Sequence, residues 1–452
     1  MENIERRDFI KMGTAGITFA AGAMGANVFS ADTADAAQKN ISSERFSAPP
    51  IETVRVGYVG VGGMGTNHLK NLLKIEGNRI VAVCDIVPER AANAQKLVVE
   101  AGQKKPASYG RNETDFVRMC ETEDLDLVYT ATPWEWHVPV CVAAMKNGKH
   151  AATEVPAAVT VDECWELVES SEKYKKHCVM MENCCYGQQE LMVLYMVRKG
   201  LFGDILHAEG GYLHDLRTVK FDAVNEGKWR LEHSIKRNGN HYPTHGLGPV
   251  SQCMNINRGD RYDYIVSMST PSKGLNEYAA KEFGATDIRA TRKYALGDVN
   301  VTLIKTINGK TITVIHDCNL PRAYSRINIV QGTKGLFQGY PELIHVEGES
   351  PAHEWGKIED YKSRFEHPLW KAMQDTSKGA GHGGMDFIED YRLIKCLREG
   401  LPTDMDVYDG AAWSVISGLS EWSVANRSKP IDVPDFTRGR WKTWEPLGII
   451  TG

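Results

Sequence analysis

The chain has 452 residues, 42% hydrophobic and 25% charged, with 53 Lys and Arg against 58 Asp and Glu. That length allows two domains with full cores, and the composition is that of a globular protein rather than a disordered, fibrous or membrane-embedded one. A formal charge of −5 removes any electrostatic case for nucleic acid or an anionic membrane as partner.

Residues 1–40 read as a targeting segment, a twin-arginine signal peptide. Arg6-Arg7-Asp8-Phe9-Ile10-Lys11 has the twin-arginine form, and a Gly- and Ala-rich stretch to Ser30 leads into small residues suited to cleavage between Ala31 and Ala37. The stretch is too short and too weakly apolar for a permanent span. The expectation is a periplasmic or otherwise exported protein with no membrane span after signal removal. The twin-arginine route carries folded proteins, so a tightly held cofactor would be loaded before export.

From about residue 50 to 183 the pattern is that of a doubly wound, Rossmann-type parallel sheet. Val54 to Val59 is an almost wholly apolar strand, as burial on both faces requires. Gly60-Val61-Gly62-Gly63-Met64-Gly65 follows and opens a helix. Gly60 permits a tight turn, Gly62 lets the backbone approach a pyrophosphate, and Gly65 lets the helix pack on the sheet. The amides at the helix start favour phosphate there. A second strand near 80–85 ends in Asp85, 20 residues beyond Gly65 and placed to accept both ribose hydroxyls of an adenosine. A carboxylate there repels a 2′-phosphate, so the expected cofactor is NAD rather than NADP.

The βαβ pattern continues with a helix near 88–101 and a strand over 125–133 that runs into Trp134-Glu135-Trp136-His137. A helix over 138–148 and a strand over 150–156, ending in Glu154-Val155-Pro156, come next. Thr160 and Glu163 form a capping-box pattern at the start of a helix over 160–173, and 178–183 is the last apolar strand. Ligands of such sheets lie beyond the carboxyl ends of the strands, so the 133–137 loop should border the nicotinamide side.

Residues 184–452 read as an α+β substrate domain. A helix over 187–199 leads into segments that alternate at period two, and Asn308-Gly309 sits at the turn of a hairpin over 298–318. Residues 186 to about 375 are expected to form a mostly antiparallel open sheet, closed by helices near 384–399 and 408–427. The open sheet points to a homodimer or higher homo-oligomer. Ten irregularly spaced cysteines, with no CxxC, read as buried free thiols.

Several short runs carry a more specific resemblance. Trp134-Glu135-Trp136-His137, Glu154-Val155-Pro156, Glu182-Asn183, Trp229-Arg230, His241-Tyr242-Pro243-Thr244-His245-Gly246-Leu247-Gly248-Pro249 and Gly381-His382-Gly383-Gly384-Met385-Asp386 resemble glycoside hydrolase family 109. That family comprises NAD-dependent α-N-acetylgalactosaminidases within the glucose-fructose oxidoreductase and inositol dehydrogenase superfamily. Dehydrogenases of the superfamily usually carry E-K-P, whose lysine assists hydride transfer. Val155 cannot move a proton, so proton transfer must lie elsewhere.

The resemblance implies hydrolysis of a small-molecule glycoside through a transient change of oxidation state. Oxidation at C3 acidifies the C2 hydrogen, a base removes it, the aglycone leaves C1, water adds and the hydride returns. Paired glycosidase carboxylates are not needed. A sugar oxidoreductase of the glucose-fructose type is the alternative. His245, of the residue type suited to exchanging protons near neutrality, and Tyr242 are the expected acid/base pair. Which serves which carbon stays open, and Tyr186 is a further candidate. The same resemblance assigns Tyr212, Arg230, Tyr242, Thr244, His245 and Tyr324 to the sugar. It assigns Met64 and Gly65 to the pyrophosphate, and Trp134, Glu135, Trp136, His137, Glu154, Val155, Asn183 and Tyr242 to the nicotinamide ribose. No metal is expected, because His241 and His245 have no evident third ligand. The role of His382 is left unassigned.

Overall fold

A computed structural model describes residues 46–446 and Ile449. The twin-arginine segment and its cleavage region lie outside these residues. The first sheet has six parallel strands in the order β3-β2-β1-β4-β5-β6. They are β1 (Val54–Val59), β2 (Asn78–Cys84), β3 (Ala107–Tyr109), β4 (Leu127–Thr130), β5 (His150–Thr153) and β6 (Cys178–Met180). Helices α1 (Gly63–Leu72), α2 (Pro88–Glu100), α3 (Asp115–Thr122), α4 (His137–Lys146) and α5 (Val161–Tyr174) connect them. β1 and β4 are buried almost throughout. The Thr160–Glu163 capping box forms as expected, with Glu163 N donating to Thr160 Oγ1 at 3.2 Å and Thr160 N to Glu163 Oε2 at 3.0 Å. The short β3 and the helix α3 have no counterpart among the elements expected from the sequence.

The second sheet has eight strands in the order β13-β12-β11-β7-β10-β9-β8-β14. They are β7 (Ile205–Leu213), β8 (Tyr262–Ser269), β9 (Val299–Thr306), β10 (Thr311–Asp317), β11 (Ile329–Gly332), β12 (Gly335–Gln338), β13 (Leu343–Val346) and β14 (Ile431–Asp432). Every pairing is antiparallel except β7 with β10. The β9–β10 hairpin turns at Asn308-Gly309, with Gly309 at φ +87°. One face of this sheet packs on helices. The other exposes Leu206, Tyr264, Met268, Val301 and Leu303.

Helices α6 (Gln188–Arg198), α7 (Gly227–Lys236), α8 (Thr244–Met254), α9 (Met385–Glu399) and α10 (Val407–Ala425) complete the parts that matter for the site. Two of them alter the simple two-domain picture. From α9, Phe387, Leu393, Ile394 and Leu397 share one core with Val54, Val56 and Tyr58 of β1 and Leu69 and Leu72 of α1. The chain therefore returns near its end to cover the first sheet, and the described residues belong to one compact unit.

α8 is the second departure. Its Pro and Gly content argues against a regular helix, yet after His241, Tyr242 and Pro243 the chain forms one in which Gly246 to Met254 are all buried. Pro249 lies inside the helix and forfeits the backbone donor toward His245, a local cost that the packing of this segment offsets. The glycines have a steric purpose. A Cβ on Gly246 would sit 2.3 Å from Gly211 N, and one on Gly210 would sit 2.4 Å from Gly246 O. Backbone thus rests on backbone between α8 and β7, and tertiary packing overrides local propensity.

Candidate active site

The dinucleotide side is built from backbone. Gly60 has φ +80°, and a Cβ there would lie 2.8 Å from the Ala131 carbonyl. A Cβ on Gly65 would lie 1.9 Å from Gly60 O, so the first turn of α1 can close on the β1 loop only with glycine. A Cβ on Gly63 would meet nothing within 4 Å, and no acidic residue occupies that turn. Met64 lies half-buried in it. Asp85 follows β2 directly, and its carboxylate accepts from Val61 N at 2.9 Å and Val87 N at 2.8 Å. Each oxygen keeps a further lone pair for a ribose hydroxyl. An open helix start, a close-approach glycine pair and an acid at the end of β2 together fit NAD.

The loop after β4 divides its four expected residues. The Trp134 ring lies 5.0 Å from Trp229 and 5.7 Å from Tyr242, facing the second domain. Glu135 lies 3.9 Å from His233 Nε2, which helps hold its pKa below the usual value against the opposing effect of burial. Trp136 turns back onto Phe116 at 6.1 Å. His137 is buried, with Nδ1 at 2.7 Å from Pro156 O and Nε2 at 2.9 Å from Thr132 O, so its ring ties this loop to the one after β5. Val155 is buried in the core. Glu154 is fixed by an imidazole: His68 Nε2 lies 2.7 Å from its Oε1, while His68 Nδ1 lies 2.9 Å from Asp390 on α9. Burial opposes a charge on His68, but the two carboxylates hold its pKa well above the ordinary value.

The second wall is aromatic and carries Tyr242, Tyr212 and His245. Tyr242 lies 4.8 Å from His245 and 4.5 Å from Tyr212, centroid to centroid, and Tyr212 lies 5.3 Å from His245. The pairing expected of Tyr242 and His245 is present. His241, four residues before His245, lies apart from this pair, near His316 at 5.9 Å and Glu421 at 4.0 Å. His245 Nδ1 is 2.7 Å from Glu182 Oε1, and the Glu182 side chain is fully buried. Burial opposes ionisation of Glu182. The His245 ring, the Thr244 hydroxyl and the Cys184 amide nevertheless hold its pKa below the usual carboxylate value. With Nδ1–H assigned to that carboxylate, the Nε2 lone pair is the free basic position. Burial pushes the Tyr242 pKa well up, which keeps it a phenol that shares rather than surrenders its proton.

Arg230 from α7 spans this wall. Its guanidinium carbon lies 4.8 Å from the Trp229 ring, 5.1 Å from Trp134 and 5.4 Å from Tyr242, while Nε donates to Glu226 at 2.6 Å. Tyr324 lies 6.4 Å from Tyr212 and receives a hydrogen bond from Arg326 at 3.2 Å. Thr244 is buried at the start of α8. Asn183 donates to Asp386 at 2.7 Å. Tyr186 is turned to a different task, donating to Asp404 at 3.1 Å, which Arg392 also grips.

Three groups of the site have no role assigned from the sequence. Glu182 stands there only as part of a motif, although its position at the end of β6 carries the same signal that singles out Glu154. His214 lies 3.1 Å from the Tyr212 hydroxyl, and burial together with the Arg230 charge lowers its pKa. His382 is paired with Asp386, four residues on. Glu182, Cys184 and His245 each bring one ligand atom within 4.8 Å of the others, the one such trio among the described residues. Cys184 Sγ donates to Asn183 Oδ1 at 3.4 Å and the His245 ring bonds Glu182 Oε1 at 2.7 Å, so the three residues sit in a hydrogen-bonded cluster. All ten cysteines are buried, and none forms a disulfide.

Comparison with known proteins agrees with this geometry. Residues 54–182 match the oxidoreductase family with an NAD-binding Rossmann fold. Residues 186–443 match the C-terminal domain of glycosyl hydrolase 109. A glycosyl hydrolase family 109 protein of Shewanella pealeana is 49% identical over 407 residues, 89% of each chain. A protein of Shewanella oneidensis named alpha-N-acetylgalactosaminidase is 46% identical over 459 residues, covering both chains fully. Among solved structures, a levoglucosan dehydrogenase in complex with NADH and levoglucosan shares the fold at a TM-score of 0.64 and 20% identity, over 85% of this chain and all of that one. Scyllo-inositol dehydrogenase from Lactobacillus casei with bound NAD(H) and scyllo-inositol does so at 0.60 and 13%, over 84% and 99%. The chain is a member of glycosyl hydrolase family 109, an NAD-binding glycoside hydrolase.

Proposed function

We propose that this protein removes terminal α-N-acetylgalactosamine or a related sugar from glycosides by oxidation at C3, elimination across C1–C2, water addition and reduction. The observation that carries the reading is the Glu182–His245–Tyr242 group, set against Arg230 and Trp134 and facing the loop after β4. NAD, when bound, supplies a reversible hydride acceptor. Gly60, Gly62, Met64, Gly65 and Asp85 would hold its adenosine and pyrophosphate; Trp134, Glu154 and Asn183 would border its nicotinamide ribose.

The protein's own groups move the protons. Tyr242, kept as a phenol, shares a proton with the C3 hydroxyl as that carbon changes oxidation state. His245 takes the C2 proton at Nε2 while Glu182 stabilises the imidazolium through Nδ1–H. Arg230, with five donors, grips vicinal hydroxyls or an acetamido oxygen. Val155 in place of a lysine and the family match over 186–443 favour hydrolysis over sugar-to-sugar oxidoreduction. The test is p-nitrophenyl α-N-acetylgalactosaminide cleavage in deuterated water. Deuterium at C2 of the released sugar is the expected result, and release without it excludes elimination.

Two further parts belong to the same proposal. Arg6 to Lys11 support twin-arginine export of the folded, NAD-loaded protein to the periplasm. Replacing both arginines with lysine should leave it in the cytoplasm. The exposed apolar face of the second sheet supports a homo-oligomer. Leu303→Asp should then shift the sedimentation coefficient toward that of a single chain.

A further inference from the structure

A cavity of about 450 Å³ opens beside the loop that precedes α9, and Gln188, Glu190, Arg326, Tyr340, Trp370 and His382 line it. Amide, carboxylate and guanidinium groups beside aromatic faces are the combination that binds sugar hydroxyls and stacks on sugar rings. The cavity shares a partition with the catalytic wall. Tyr324 lies 6.4 Å from Tyr212 on one side and 6.1 Å from Tyr340 on the other, and the Arg326 guanidinium lies 5.7 Å and 5.4 Å from the Tyr324 and Tyr340 rings.

His382 stands at the junction. Its Nδ1 is 2.8 Å from Asp386 Oδ2, whose other oxygen receives Asn183 at 2.7 Å. The Asp386 side chain is fully buried whereas that of His382 is 49% exposed. A buried carboxylate thus orients a solvent-accessible imidazole, as Glu182 orients His245. His382 itself has φ +49°, followed by Gly383 at +73° and Gly384 at +104°, a left-handed run held by the surrounding structure. His382 Nδ1 also lies 3.4 Å from Asn183 Nδ2, and Asn183 adjoins Glu182, the carboxylate partner of His245.

Elimination needs one proton group more than Tyr242 and His245 provide. A phenolate leaves readily, but a sugar alkoxide is a poor leaving group and must be protonated as it departs. We infer that this cavity receives the aglycone, the next sugar of a glycan, and that His382, held by Asp386, donates the proton to its leaving oxygen. The inference rests on the glycosidase reading above and adds a subsite and a catalytic residue to it. As the C1–O bond breaks, its electron pair goes to the aglycone oxygen, which takes the proton from Nε2 of His382. The electron pair left at C2 when its proton is removed becomes the C1–C2 π bond. When water adds at C1, the same nitrogen takes a proton from it.

The experiment compares the NAD-loaded enzyme with its His382→Asn variant on two glycosides of the same sugar, one carrying p-nitrophenol and one carrying a second sugar. General-acid assistance is worth about 10²–10⁴-fold. The variant should lose about 10²-fold or more of kcat/KM on the sugar aglycone and at least tenfold less than that on p-nitrophenol. Equal losses on both, or none on the sugar aglycone, overturn the assignment. Tyr340→Ala should raise KM for the disaccharide at least fivefold more than for a methyl glycoside, whose aglycone is too small to fill the cavity. Equal changes remove the subsite. A wild-type enzyme that cleaves neither glycoside would defeat the glycosidase reading itself, an outcome separate from equal losses in an otherwise active system.

Discussion

The two walls of the site recognise their ligands by different means. On the dinucleotide wall the chain uses backbone: Gly60 and Gly65 touch with no room for a methyl, and Asp85 is itself positioned by two amides. On the sugar wall it uses side chains brought from separate elements, with one carboxylate behind His245 and another behind His382. A backbone site tolerates almost no substitution at its glycines, while its charged residue modulates affinity. A side-chain site should tolerate changes in binding residues but lose rate steeply when a proton carrier is removed.

The largest effect should come from Gly65→Val on the dinucleotide wall. Its side chain has to pass an atom 1.9 Å from its own Cβ, so NAD binding and turnover should both vanish. A thermal-shift titration checks this, the wild type gaining stability with NAD and the variant showing none. If Gly65→Val binds NAD normally, the contrast between the walls is wrong. Next comes His245→Ala, which should lower kcat about 10²–10⁴-fold while leaving the NAD titration intact. Near-normal turnover would remove it from the mechanism.

Glu182→Gln tests a positioning residue. The amide keeps the shape but no longer selects the Nδ1–H tautomer or stabilises the imidazolium, so kcat should fall about 10²-fold with KM nearly unchanged. A rise in KM with kcat intact would mean that Glu182 shapes the pocket rather than the base. Asp85→Asn is milder, since the amide still fills the space between Val61 and Val87. NAD affinity should fall about tenfold, a change near 1.4 kcal/mol, while NADP should lose less or gain, as read by calorimetry.

The smallest effect is common to both sheets. Burial pushes His150 on β5 down to about 4 and His316 on β10 down to about 3. Each is neutral when folded and takes up a proton when unfolded, once pH falls below about 6.5. Stability from this source is complete above that pH and declines as pH drops toward 4, by at most about 1.4 kcal/mol per unit for each histidine. Urea unfolding at pH 7.5 and 5.0 should show the loss, and His316→Asn should reduce its slope.

Most of the first sheet is legible in the chain because its signals are local. The glycine loop, Asp85 and the Thr160–Glu163 box each lie within one or two adjoining elements, where spacing alone dictates geometry. The β9–β10 hairpin is equally plain from Asn308-Gly309. Tyr242 and His245 are legible too, because they sit three residues apart at a helix start. Only the tertiary structure decided the rest. Glu182 and His245 are 63 residues apart, Asn183 and Asp386 are 203 apart, and His68 and Asp390 are 322 apart. Such pairs depend on how α8 rests on β7 and how α9 returns to the first sheet, and residue spacing carries no record of either contact. A buried carboxylate is recognisable in a sequence by type, but the imidazole it orients is chosen by packing.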